Sequence, residues 1–79
     1  MRYIIYYESG GSITAEIVDK KKLFQRIIDP NRRILDIEAT RRGAPELMDY
    51  IDNRIENDHL PKQPLSDSGL LKKLKDLNL

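Results

Sequence analysis

Residues 2–18, RYIIYYESGGSITAEIV, decide how this chain folds. Two runs rich in Ile, Tyr, Val and Thr flank Ser9-Gly10-Gly11-Ser12. Such runs favour strands, and a Gly-Gly pair accepts the positive φ that a two-residue hairpin loop demands. The loop then fixes a register with Ser9 opposite Ser12, Glu8 opposite Ile13, Tyr6 opposite Ala15 and Ile4 opposite Ile17. Opposed residues share a face. One face therefore carries Ile4, Tyr6, Ile13, Ala15 and Ile17; the other carries Tyr3, Ile5, Tyr7, Thr14, Glu16 and Val18.

Beyond the hairpin, Asp19 caps a helix running from Lys20 to Ile28 or Asp29, with Leu23, Phe24, Ile27 and Ile28 as its apolar stripe. Asp29-Pro30-Asn31-Arg32 forms a turn with Pro at its second position. A third strand, 33–41, alternates Leu35, Ile37 and Ala39 against Ile34, Asp36, Glu38 and Thr40. After Gly43 a second helix begins near Pro45, which suits a first turn. Glu46 and Asp49 complement its dipole, and Leu47, Met48, Ile51 and Ile55, with His59 at the margin, form its stripe.

Residues 61–69, PKQPLSDSG, read as a semi-rigid linker between a domain spanning 1–60 and a short amphipathic helix over 70–79. Ser66 or Ser68 caps that helix. Leu70, Leu74 and Leu77 align on one side of it, and Lys72, Lys73 and Lys75 on the other. About ten residues do not hold a helix in water without something to lie on.

The fold class is α+β, ββαβα. A three-stranded antiparallel sheet in the order 2-1-3 carries two helices on one face, plus the short C-terminal helix. A strand-helix-strand crossover places the first strand in the middle, in keeping with the two-sided apolarity of Ile4-Ile5-Tyr6-Tyr7. If both longer helices cover the Ile4/Tyr6 face, the face bearing Tyr3, Ile5, Tyr7, Glu16, Ile34, Asp36 and Glu38 is left bare. Apolar patches of several hundred Å² are seldom left exposed on soluble monomers. The leucines and lysines of the C-terminal helix match that surface, docking on their own subunit or on a neighbour. A homodimer is an equal cover, and a frayed tail is the remaining alternative.

At 79 residues with no Cys, the chain has no disulfide framework and no thiolate metal site. Cysteine absence suits a reducing, cytoplasmic setting. No apolar run approaches the ~20 residues of a membrane span, and the apolar patch at the start is too short for a signal peptide. Net charge is +1, but residues 1–42 hold nine Lys/Arg against six Asp/Glu, and residues 43–60 hold one against five.

The chemistry of catalysis is sparse. His59 is the single histidine, and without Cys or a second His no zinc site is expected. Asp36 and Glu38 form an acid pair in spacing only, better explained by strand alternation. Ser9 to Ser12 is followed by no helix, so it is a turn and not a phosphate loop. No enzyme, metal or cofactor is expected.

The residues point instead to a small non-enzymatic protein-interaction module, of the kind a bacterial or phage regulator uses to occupy a partner's surface; the Ile-, Lys-, Asp- and Asn-rich, cysteine-free composition is of a kind common among AT-rich bacteria and their phages. Its contact elements are Tyr3, Ile5, Tyr7, Glu16, Ile34, Asp36 and Glu38 on the sheet and Leu70, Leu74 and Leu77 on the last helix. The alternative is a weak nucleic-acid-binding module using Lys20, Lys21 and Lys22 with Arg32, Arg33, Arg41 and Arg42 as a basic rim. The three lysines crowd a helix N-terminus, where cations are disfavoured by a few tenths of a kcal/mol when exposed. They permit an anionic partner without requiring one.

Overall fold

A computed structural model describes residues 1–29, 31–41, 44–57 and 60–79. Pro30, Arg42, Gly43 and His59, each given a place in the sequence reading, lie outside the described residues. The elements are β1 (Arg2–Ser9), β2 (Ser12–Val18), α1 (Lys20–Ile27), β3 (Arg33–Thr40), α2 (Ala44–Glu56) and α3 (Asp67–Asp76). The sheet order is β2-β1-β3, with both neighbours antiparallel to β1. This is the expected α+β topology.

The hairpin register is the one the Gly-Gly loop demands, from Ser9 opposite Ser12 through Ile4 opposite Ile17. Gly10 at φ +58 and Gly11 at φ +82 supply the two positive angles, the signature of a type I′ turn. Asp19 caps α1, its carboxylate accepting from the Lys22 amide at 2.8 Å. Ser66 caps α3, accepting from the Gly69 amide at 3.1 Å.

Two features of the layering differ from expectation. The helices α1 and α2 do not share a face. Leu23 and Ile27 of α1 pack with Leu70, Leu74 and Leu77 of α3 onto Tyr3, Ile5, Tyr7 and Ile37, while Leu47, Ile51 and Ile55 of α2 pack on Ile4, Tyr6 and Leu35. The pair sharing a face is thus α1 and α3, and the sheet is sandwiched. The physical reason is β1 itself. Both of its faces are apolar, and each must leave water.

The second difference is a β-bulge. Tyr6 pairs with Asp36 but Tyr7 pairs with Ile34, so Leu35 is the extra residue of β3. A bulge shifts alternation by one position. Ile37 and Ala39 consequently lie on the Ile5 side, whereas Asp36 and Glu38 join Tyr6 on the α2 side; only Ile34 and Leu35 keep their expected faces. In α1 the stripe is also narrower than its sequence suggests. Leu23 is buried and Ile27 half-buried, but Ile28 forms the C-cap and is 78% exposed.

Candidate interaction surface

The apolar residues singled out as contact elements are brought together, but with one another, whereas Asp36 and Glu38 lie on the α2 side. Tyr3, Ile5, Tyr7 and Ile34 are buried, and Leu70, Leu74 and Leu77 cover them. The tyrosine face is therefore core in this structure and not an open surface. Docking in cis follows from the Ser66 cap and from Leu65, whose amide donates to the Ile34 carbonyl at 2.8 Å and ties the approach to α3 against β3. Of the acids expected to meet the α3 lysines, Asp36 does so, with Lys73 Nζ at 2.9 Å from its Oδ1. Glu16 and Glu38 have other partners.

Each face of the sheet holds a polar cluster built on a β1 tyrosine with an arginine over its ring. On the α1 side the Tyr7 hydroxyl donates to Glu16 at 2.6 Å. Arg26 and Arg32 both reach Glu16 at 3.2 Å, and the Arg32 guanidinium stands 4.5 Å from the Tyr7 ring centroid. The Tyr7 hydrogen bond, reinforced by the two arginines, holds the Glu16 carboxyl below its ordinary pKa. Arg32 also pairs with Asp29 at 3.2 Å, so it is a structural residue and not a free cation.

On the α2 side Glu38 accepts from the Tyr6 and Tyr50 hydroxyls and pairs with Arg54, which also meets Asp36 at 3.2 Å. Arg54 lies 4.9 Å from the Tyr6 ring centroid. Burial, then the Glu38 charge, pushes the Tyr6 phenol well above its ordinary range; burial and the Glu38 hydrogen bond raise Tyr50 likewise. Asp36 sits at the β3 edge, held by Arg54 from one side of the sheet and Lys73 from the other. Both acids considered for proton transfer are thus each held by two or more side-chain partners. An open cleft of about 450 Å³ beside this cluster is lined by Ile4, Glu38, Thr40, Arg41, Leu47 and Tyr50.

Arg54, Tyr50 and Arg26 were not singled out from sequence. A signal for Arg54 existed: it falls seven residues after Leu47, two helical turns along the inward stripe, where a cation implies a buried acid.

The basic residues do not form a single rim. Lys20, Lys21, Lys22 and Arg41 are exposed, at the sheet end where β1 begins and β2 and β3 finish, together with Arg2. Arg32 and Arg33 lie at the hairpin end, the length of an eight-residue strand away, roughly 23 Å at 3.3 Å per residue.

The outer edge of β2 is open. Among the described residues no strand pairs with the outer edge of β2. In a type I′ hairpin the residues closing the loop form a hydrogen-bonded pair, and such pairs alternate along the ladder. Ser12, Thr14, Glu16 and Val18 therefore turn their backbone groups toward β1. Ile13, Ala15 and Ile17 turn theirs outward, and these three residues are exposed or half-buried.

Beside them runs an apolar strip. Tyr50 and Arg54 mark the flank of α2 nearest β3, so Met48 and Ile55, two turns apart on the other flank, lie toward β2. Met48 is 56% exposed and Ile13 37%. β2 carries no Pro, Lys or bulge to protect its edge, and its one charged residue, Glu16, is turned to the α1 side and paired with Arg26 and Arg32.

No family model matches the chain, and neither a curated protein nor a solved structure matches it. Among the described residues no group of three or more His, Cys, Asp and Glu side chains is placed to hold a metal ion, and no helix is long and apolar enough to cross a membrane.

Proposed function

We propose that this chain is a non-enzymatic protein-interaction module that takes an extended partner along the free edge of β2. The observation carrying this reading is the outward row of Ile13, Ala15 and Ile17 backbone groups beside the half-exposed Ile13/Met48/Ile55 strip. Strand addition draws affinity from main-chain hydrogen bonds and specificity from alternate side chains. The clamped state of Asp36 and Glu38 supports a non-enzymatic role, since an acid held by two or more partners is poorly placed to shuttle protons.

The reading is tested by selecting displayed random heptapeptides on the immobilised protein and competing the enriched peptides with variants. Enrichment of β-branched, alternating sequences that no longer bind Ala15→Pro is the expected result. Enriched peptides indifferent to that substitution refute it.

A second reading has its own support in the end cluster of Arg2, Lys20, Lys21, Lys22 and Arg41. A phosphate backbone laid across that end would be held without base readout. Fluorescence anisotropy with a mixed-sequence duplex separates the two. Affinity falling steeply between roughly 50 and 200 mM salt and lost in a Lys20/Lys21/Lys22→Ala variant favours nucleic acid. Salt-independent peptide capture favours the edge.

A further inference from the structure

The β2 edge is complementary to itself, and we infer that its partner is a second copy of this chain, joined β2 to β2 in antiparallel register about Ala15. The inference rests on the edge being the binding surface and names its occupant. The outward-facing residues Ile13, Ala15 and Ile17 are evenly spaced around Ala15. When two copies pair with Ala15 opposite Ala15, Ile13 falls opposite Ile17 in both directions. Each of these three pairs exchanges two N–H···O=C bonds, because the paired residues are the ones whose groups point outward. Six backbone bonds form, and no outward group between Ile13 and Ile17 is left over.

A register displaced by two residues keeps at most two such pairs. Centring on Ala15 is therefore the register in which the edge saturates itself.

Side chains agree with this alignment. A two-fold axis perpendicular to the sheet keeps both α2 helices on one side, so the opposed Ile13 and Ile17 side chains, together with the Met48/Ile55 flanks, are withdrawn from water on the same face. On the other face Glu16 falls opposite Thr14, not opposite its own copy, and its charge is already met by Arg26 and Arg32. No acid faces an acid along the strand. The assembly is a closed dimer with a continuous six-stranded sheet, β3-β1-β2-β2-β1-β3, whose remaining edges are β3. Those edges are partly covered by the Leu65 amide on Ile34 and by the Lys73–Asp36 pair.

The decisive experiment measures mass by light scattering across a concentration series, for the full chain and for Ala15→Pro. Ala15 forms a non-hydrogen-bonded pair with Tyr6, so proline there leaves the β1 ladder intact while removing two inter-subunit bonds. The expected result is a mass approaching twice 9.2 kDa for the native chain and at least a tenfold weaker dimer for Ala15→Pro at an unchanged circular-dichroism spectrum.

Should Ala15→Pro not fold, Ala15→Cys serves. The chain has no other cysteine, so mild oxidation should cross-link Ala15→Cys far faster than Leu71→Cys, whose site is 68% exposed on α3. Backbone amides of Ile13, Ala15 and Ile17 should also be protected from hydrogen exchange in the dimer.

A native chain that stays monomeric overturns the inference. So does a dimer in which those three amides exchange freely or the two cysteine variants cross-link equally. If peptides still bind the monomer through Ala15, the strand-addition reading stands and only self-pairing falls. If neither peptides nor a second copy engages β2, both fall.

Discussion

Replacing Arg54 with methionine tests the electrostatic centre of the α2 face. The Arg54 side chain is 15% exposed and lies between Asp36 at 12% and Glu38 at 25%, with the Tyr6 ring beneath it. Methionine keeps the apolar stem and removes the charge. Taking one partner from a buried pair costs about 3–5 kcal/mol when the other is stranded. Here the acids are not fully stranded. Asp36 keeps Lys73 and the Ile37 amide, and Glu38 keeps two phenol hydroxyls. The expected loss is therefore about 2–3 kcal/mol, in the range of hydrogen bonds to charged groups.

For a chain of 79 residues, where total stability is of order 4–12 kcal/mol, that is a large share. It corresponds to a Tm lower by roughly 10–20 °C. Urea unfolding of the native chain, Arg54→Met, Glu38→Gln and the double variant forms the assay. A coupling of about 1–2 kcal/mol between the two sites is expected, because removing Glu38 relieves part of the damage. A loss below about 1 kcal/mol, or strictly additive effects, would refute the reasoning.

Acid should weaken the opposite face through Glu16. Its folded carboxyl is held below the ordinary value of 4.5, so its stabilising contribution is present above that pH and is lost as pH falls through and below it; a urea midpoint that declines equally in Glu16→Gln excludes this group as the cause. Deleting residues 66–79 removes four half-buried leucines from Tyr3, Ile5, Tyr7 and Ile37. The shortened chain should bind a hydrophobic dye and lose its cooperative melt, whereas an unchanged melt means α3 contributes nothing to the core.

Much of this architecture was legible because it is written in local geometry. The Gly10-Gly11 loop tolerates one register, and that register assigns every residue of β1 and β2 to a face. Asp19 announces its cap by residue type and position, and of Ser66 and Ser68, both suited to cap α3, the structure uses Ser66. The leucine stripe of α3 needed a surface, and Tyr3, Ile5 and Tyr7 needed a cover. The two requirements met. What local geometry could not convey was β3. Its alternation is regular on paper, yet the bulge at Leu35 sends Asp36 and Glu38 to the α2 side, where Tyr6, Tyr50 and Arg54 receive them.

By itself, then, the sequence determined the hairpin and the faces of β1 and β2, which depend on backbone permissiveness and on side-chain spacing within a few residues, and the strand order, which follows from the two-sided apolarity of β1. Only the tertiary structure decided which helix covers which face, that Tyr3 and Tyr7 are internal, and that the outer edge of β2 lies beside an exposed apolar flank of α2. Those outcomes depend on competition for limited apolar area between segments far apart in the chain. A two-sided central strand cannot be satisfied from one side, so α2 takes one face while α1 and α3 share the other.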